Sequence, residues 1–458
     1  MTHAPMSMFL ADQRGAGTIM GLLWFMLLVG ITGMAVDTTN GFRSRTMLQA
    51  TADATSLAAA IDLPDTNAAV ATAVAYAAEN MGADINGSVL DPADVHIGLW
   101  DPATRSLDTA AALPDSVMVT VRQTEANGNP VPVNFLRIIG LMNWNVQAQA
   151  VAQRFIPECL KDGLVAREMV DMSSNNGFVN EICVHGEQGV NIQSNNYFET
   201  GVNVSMPSMS MLELPNSGMD SNIGLPDALR ENYLDPRMVN HIDEIMLGML
   251  ALPDDVMLAL QDNVLPTYID SDGGGCSDLC GGDSGDRVIK VDEKFDLSTA
   301  KPGFIYHVLC KPNKVARIPN NSIVQNVVII AECELHIGAG ATVISSVLAS
   351  RSGGNGKIDK ANIVIAANVQ LGLPDNCAEG GGVQLFSNAT IHTASSTSID
   401  GVQMVAIGDI ELGARDMAVN GISAQSGRTI TLTANNMFGL CSGGAPNLFT
   451  VPYYRLVL

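Results

Sequence analysis

The sequence predicts a membrane-anchored mixed α/β chain. It has a transmembrane helix, a slim helical stalk, a small α+β domain and a mainly-β C-terminal half read as a parallel β-solenoid with a helical insertion. Three observations lead there. Residues Gly15 to Val36 carry no charge. The segment that follows, "FRSRTMLQATADATSLAAAI", is Ala-rich and spaces its apolar residues as a helix does. Beyond Pro157, short β-rich runs recur in pairs at roughly 20-residue intervals, a period typical of a solenoid rung.

The uncharged run is about 22 residues long, enough to cross a hydrocarbon core of ~30 Å as a helix. A secretory signal peptide is the alternative, because Gly33-Met34-Ala35 offers small residues where a signal peptidase reads them. Charge bias does not orient the segment: Asp12 offsets Arg14, and Arg43 and Arg45 lie on the far side. Gly21, Gly30 and Gly33 are small residues through which membrane helices approach one another. After a turn expected at Asn40-Gly41, Met47, Ala50, Ala54, Leu57 and Ile61 recur every three or four residues and form one narrow apolar stripe.

The stretch "RGAGTIMGLLWFMLLVGITGMAVDTTNGFRSRTMLQATADATSLAAA" resembles the N-terminus of TadG-like proteins of the Tad/Flp pilus-assembly system. In that family an apolar helix leads to an Asp and then to a segment of the form R-x-x-LQ-x-AADAAALAAA. The matching residues here are Asp37, Arg45, Leu48, Gln49, Ala52, Asp53, Ala54, Leu57, Ala58, Ala59 and Ala60. Processed pseudopilins carry a Glu five residues after a cleavage-site Gly; here Met20 follows Gly15 and Leu22 follows Gly17 at that distance. The resemblance therefore implies an uncleaved anchor. It also implies a non-enzymatic, structural role without a cofactor, in a single-pass protein of the bacterial inner membrane. Its ectodomain would lie in the periplasm or extend to the cell surface. The implied partners are pilus-assembly proteins or pilin subunits, in a homo- or hetero-oligomer, with the lipid bilayer held by the N-terminal helix. The family also brackets a Gly/Asn-rich β segment with two cysteines, which implies a Cys159–Cys183 disulfide.

The expected order is then a cytoplasmic tail (1–14), the transmembrane helix (15–36), a pilin-like stalk (37–63) and an α+β domain (64–156). First solenoid rungs (157–210), a helical insertion (211–270), an acidic Gly/Cys loop (271–286) and further repeats with a C-terminal tail (287–458) complete it. In the α+β domain Asp65 can cap a helix through "TNAAVATAVAYAAEN". Strands are expected at 95–101, 116–123 and 143–153, and a short helix at 135–142. In "NWNVQAQAVAQ", Trp144, Val146, Ala148 and Ala150 share one face and polar residues the other.

The repeat is carried by "NVVIIAECELHIG", "NIVIAANVQLG", "GVQLFSNATIHT", "GVQMVAIGDIELG" and "GISAQSGRTITLT". An earlier pair, "FVNEICVHGEQGVNIQSNN" and "YFETGVNVSMP", has the same character. Asn and Gly at the corners permit left-handed turns, and Asn can stack between rungs. A β-sandwich with similar strand lengths is the alternative. Within 211–270, "LPDALRENY", "DPRMVNHIDEIMLGMLA" and "LPDDVMLALQDN" each place Pro near a helix start with acidic residues in the first turn.

Composition excludes some partners. Net charge is −23 with no basic cluster, which argues against nucleic acid and anionic lipid headgroups. Eight cysteines, all from Cys159 onward, fit disulfides in an oxidising compartment. "SDGGGCSDLCGGDSGD" (271–286) contains a GDSG tetrapeptide without the flanking residues of a serine protease. Its four aspartates, Asp272, Asp278, Asp283 and Asp286, together with Asp270 just before it, could hold calcium. A flexible acidic loop explains it more simply. The seven histidines are scattered without HxH or HExxH spacing, so no metal site is expected. A secreted or surface-attached carbohydrate-binding protein, adhesin or carbohydrate-active enzyme is the competing function. For it, Glu334, Asp359, Asp400, Asp409 and Glu411 are the available carboxylates.

Overall fold

The computed structural model describes residues 16–251, 266, 268–269, 288–351, 361–375, 378, 380–413, 417–441 and 449–458. The expected tail 1–14, the insertion segment 252–263, the acidic loop 271–286 and Cys377 lie outside them. The chain forms two compact units: Met1–Phe155 with Pro452–Leu458, and Ile156–Val451. The C-terminal residues, expected to end the repeats, therefore belong to the first unit. Strand Tyr453–Leu456 pairs antiparallel with Val146–Phe155, so the second unit is a sequence insertion between two neighbouring strands of one sheet.

The first unit begins with a single helix, α1 (Ala16–Ile61). At 1.5 Å per residue it is about 70 Å long. The expected turn at Asn40-Gly41 does not occur. Gly inside a helix costs about 1 kcal/mol against Ala, and tertiary contacts override that local preference. Asn40 donates to the Pro132 carbonyl (3.3 Å), and the indole of Trp144 lies over Gly41. Farther along, Leu48, Ala52, Thr55, Ser56, Ala59 and Ala60 are buried. Helix α2 (Thr66–Asn80) is capped by Asp65, which accepts from the N–H groups of Asn67 and Ala68, and buries Ala69, Ala73 and Ala77. Small side chains at four-residue spacing let both helices lie close to the sheet.

That sheet is antiparallel, in the order Ser106–Asp108, Val95–Asp101, Ser116–Gln123, Val146–Phe155, Tyr453–Leu456. Val117, Val119 and Val121 stand opposite Ala152, Ala150 and Ala148, large against small, and all six are buried against the helices. Between the last two long strands, residues 124–145 form a loop with a short ribbon (Val131–Pro132 with Asn143–Trp144) and a 3₁₀ turn, Leu136–Ile139.

In the second unit the strands pair parallel, most often with a strand about 20 residues away and, around Ala361–Ile365 and Gln370–Leu371, with one 28 residues away. Gly163 pairs with Cys183 and Cys183 with Asn203; Val383 pairs with Val402 and Val402 with Ile422. A second row runs alongside, with Leu335, Ile363, Ile391, Ile410, Ile430, Val170, Val190 and Leu212 consecutive in register. A third row carries short strands such as Met417–Asn420 against Asn436–Gly439. Aligned β-branched and Leu side chains from successive strands make the core continuous.

Chain order and stacking order differ. Ser423–Ser426 pairs with Gly163–Ala166, Ile430–Leu432 with Val170–Met172, and Met437–Gly439 with Gly177–Val179. The last repeats thus dock on the first. Two further features mark this junction. Asn436, Asn176, Asn196 and Asn222 form a buried ladder in which each backbone N–H donates to the next side-chain oxygen, at 2.8–2.9 Å. Phe178 is stacked between Phe198 and Phe438, with centroids 5.0 and 5.3 Å away.

The parallel pairing outruns the boundary expected at residue 210: Leu212–Glu213 pairs with Val190–Asn191, and Leu229–Glu231 with Val204–Met206. Only then does the chain leave the sheets, as a 3₁₀ turn (Arg237–His241) and helix α3 (Ile242–Ala251). Met238, Ile242, Ile245, Met246 and Met249 pack on Ile305, Ile330, Val347, Phe386 and Val405. The strands under α3 are therefore covered on both faces, which explains their near-continuous apolar composition. The repeat alignment also needs one correction. "NIVIAANVQLG" supplies second-row and third-row strands, Ala361–Ile365 and Gln370–Leu371, and its first-row partner is Ser346–Ser350. Leu335 pairs with Ile363, 28 residues on, so that repeat is longer than its neighbours and its phase is shifted.

Candidate membrane anchor and stalk surface

Along its first half α1 is apolar all round and almost unburied: Ile19, Leu23, Trp24, Phe25, Leu28 and Ile31 are each more than half exposed. A helix hydrophobic on every side and bare of protein is what a lipid-embedded span requires. The helix is long and apolar enough to cross a membrane.

Where the span ends, Asp37 organises the loop beside it. The side chain is fully enclosed and accepts three backbone N–H bonds, from Asn134 (2.9 Å), Phe135 (2.8 Å) and Leu136 (2.7 Å). Burial raises the carboxyl pKa. The three donors outweigh it, and the group stays below its ordinary value. A carboxylate is needed here because it can accept several donors at once; an apolar residue would leave all three unpaired. Asp37 was legible as a family-matching position, but nothing local in the sequence linked it to residues almost a hundred positions away.

Each expected contact residue can be located. Gly21 and Gly30 have open space where a Cβ would stand. Gly33 does not: a Cβ there would fall 2.5 Å from Cβ of Phe135, so this glycine is used by the chain's own loop. The surface it was expected to offer a neighbouring helix is occupied. On the stalk, Met47 and Ile61 are exposed, while Ala54 and Leu57 are half-buried. The buried face of α1 is the neighbouring one, through Leu48, Ala52, Ala59 and Ala60. The apolar stripe thus lies largely outside the fold. The difference is physical: Ala packs by its small size, which hydropathy does not weigh.

In the second unit, Cys159–Cys183 and Cys310–Cys333 are disulfides, with Cα–Cα distances of 5.1 and 5.8 Å, and Cys441 is also bonded. The described carboxylates considered for glycan chemistry have local partners. Glu411 meets His392 (2.7 Å), Glu334 meets His336, and Asp409 meets Arg428 (3.3 Å). Asp400 is bonded by Asn420 and Ser398. Burial raises the Asp400 pKa, and nearby Asp375 adds to that, while the two hydrogen bonds oppose it. His185 is fully buried between Ser205 and Glu187, both at 2.8 Å, and burial holds its pKa below 6.5 against the pull of Glu187. Among the described residues no three His, Cys, Asp or Glu side chains gather as metal ligands.

Comparison with known families resolves the chain into three stretches. Residues 15–62 match the Flp pilus-assembly TadE/G-like family, and residues 50–152 match a Tad-like Flp pilus-assembly family. Residues 163–442 match a domain of unknown function, DUF7867. No curated protein and no solved structure matches the chain. The boundary between the two units, after Phe155, falls in the stretch 153–162 that separates the second match from the third. With well over half its length inside the third model, the chain belongs to the DUF7867 family, and its N-terminal region is that of a TadG-like Flp pilus-assembly protein.

Proposed function

We propose that the protein is a structural component of a Tad/Flp-type pilus or secretion apparatus, held in the bacterial inner membrane by residues 15–36. Its ectodomain stands in the periplasm or reaches the cell surface and binds pilus or envelope partners. The observation that carries this reading is α1 itself. One unbroken helix runs from a bare apolar span into a stalk whose inner face is packed and whose outer apolar stripe exposes Met47 and Ile61 to solvent. The pilus-assembly families over residues 15–152 support it.

Gly21 and Gly30 are the span positions open to a neighbouring helix. Residues 157–231 and 288–439 form one parallel β-solenoid, three strand rows deep, strapped by α3 and braced by disulfides. Parallel pairs that recur at offsets of mostly about 20 residues, in rows that stay in register, support that reading over a sandwich. Its role is presentation of a braced surface to partners, with no enzymatic step.

Photo-crosslinking in the native host tests the stalk. A crosslinker at Met47 or Ile61 should trap a pilus-system protein, and one at buried Leu48 should not. Adducts that arise only from positions in the second unit would remove the stalk from the interface.

A further inference from the structure

The loop tethered by Asp37 carries a surface the function above does not use. Phe135, Ile138, Ile139 and Met142 are 45%, 85%, 75% and 54% exposed. Ile138 and Ile139 share a groove with Phe25, Val29 and Met34 of α1. These apolar residues are contiguous, unlike Ile85 and Leu113, which stand singly on the same unit.

Height decides what covers them. The groove reaches down to Phe25, eleven residues before Val36 and therefore about 16 Å below the end of the uncharged run. A membrane that left this whole groove in water would have to stop near Phe25. Only about 15 Å of uncharged helix would then remain above Arg14, half of the ~30 Å a hydrocarbon core needs. The span is long enough only if the groove, with the Ile138 and Ile139 side chains that line it, lies at membrane depth.

The loop is also built for that depth. Non-helical backbone in lipid must satisfy its polar groups internally. The N–H groups of Asn134, Phe135 and Leu136 donate to Asp37. Those of Ile138, Gly140 and Leu141 donate to carbonyls within the turn. Arg137, exposed between the apolar residues, has a stem long enough to carry its charge toward the phosphate level. Gly33 is the position that lets the loop close onto the helix.

We propose that residues 135–139 are a second membrane contact: an apolar turn embedded among acyl chains of the ectodomain-side leaflet, flush against the spanning helix. It fixes the helix in depth and rotation, which one span alone cannot do. The proposal rests on residues 15–36 being a retained span, and the test separates the two.

The full chain, with native cysteines untouched, is reconstituted in phosphatidylcholine–phosphatidylglycerol vesicles. A nitroxide is placed by Ile138→Cys, Met26→Cys or Ile85→Cys, one at a time, all at exposed positions where folding is not at stake. Collision with oxygen and with a water-soluble nickel chelate is then measured. The expected result is high oxygen and low nickel access at residue 138, close to the reading at residue 26 and opposite to that at residue 85. Nickel access at 138 equal to that at 85, with 26 still in lipid, overturns the loop contact and leaves the anchor standing. Low access to both probes at 138 means protein covers it, and also overturns the proposal. Nickel access at both 26 and 138 means the span itself is not in the bilayer.

Discussion

The two units solve the same problem in opposite ways. The first is held by contacts that each occur once: Asp37 under the 134–136 loop, Gly33 beneath Phe135, and Val117, Val119 and Val121 against three alanines. The second is held by a few contacts made repeatedly, such as the column from Leu335 to Leu212, the asparagine ladder and the phenylalanine stack. A unit built from singular contacts should fail locally and specifically. A unit built from repeats should be hurt most where its two chain ends meet, because there the ladder is joined by residues 260 positions apart, as Asn436 and Asn176 are.

The sharpest way to break this contrast is at the junction. Phe178→Ala removes the middle ring of the stack and opens a cavity between repeats from opposite ends of the unit. A cost of about 3–5 kcal/mol is expected, read as a fall in the denaturation midpoint of the ectodomain. Asn176→Ala should cost less, about 1–3 kcal/mol, by leaving the Asn436 N–H without an acceptor. If either variant unfolded only the outermost repeats and left the junction protected from hydrogen exchange, the docking of last on first repeats would be wrong.

The first unit should respond without disturbing the second. Asp37→Ala and Gly33→Leu should each raise hydrogen exchange across residues 134–141, the first by freeing three donors and the second by displacing Phe135. Exchange in the 163–206 strands should not change. Spread of either effect into those strands would erase the distinction between the units.

The smallest expected effect is on pH. Burial lowers the His185 pKa in the folded state, so the unfolded chain binds this proton more readily. The stabilisation is complete above the ordinary value of 6.5 and is lost as pH falls from there toward the lower folded value. His185→Gln should flatten that acid-side slope, monitored by thermal unfolding of the ectodomain between pH 7 and 5. An unchanged slope would exclude the histidine as its source.

How much was legible follows from the same contrast. Repetition is visible in a sequence: the period of about 20 residues, the paired strands and the Asn-rich corners are all local patterns. Phase and order could not. Every repeat is a suitable neighbour for every other, so nothing local says that Gly163 should meet Ser423. The longer spacing between Leu335 and Ile363 puts "NIVIAANVQLG" out of step. In the first unit the apolar span and the Asp65 cap are local signals and were readable. The uninterrupted helix through Asn40-Gly41 was not, because Pro132, Asn134 and Trp144 hold it from far along the chain. The buried face of the stalk escaped for another reason. Ala52, Ala59 and Ala60 are chosen for smallness, while Met47 and Ile61 have the stronger hydropathy and lie outside.

The most direct measurement is the intact mass of the protein recovered from the native host's membrane fraction. A retained anchor predicts the mass of the full 458-residue chain, including residues 15–36. A mass lacking everything through Ala35, or a cut after Gly15 or Gly17, would contradict it: the first would mean a released product, the second a processed pilin-like subunit.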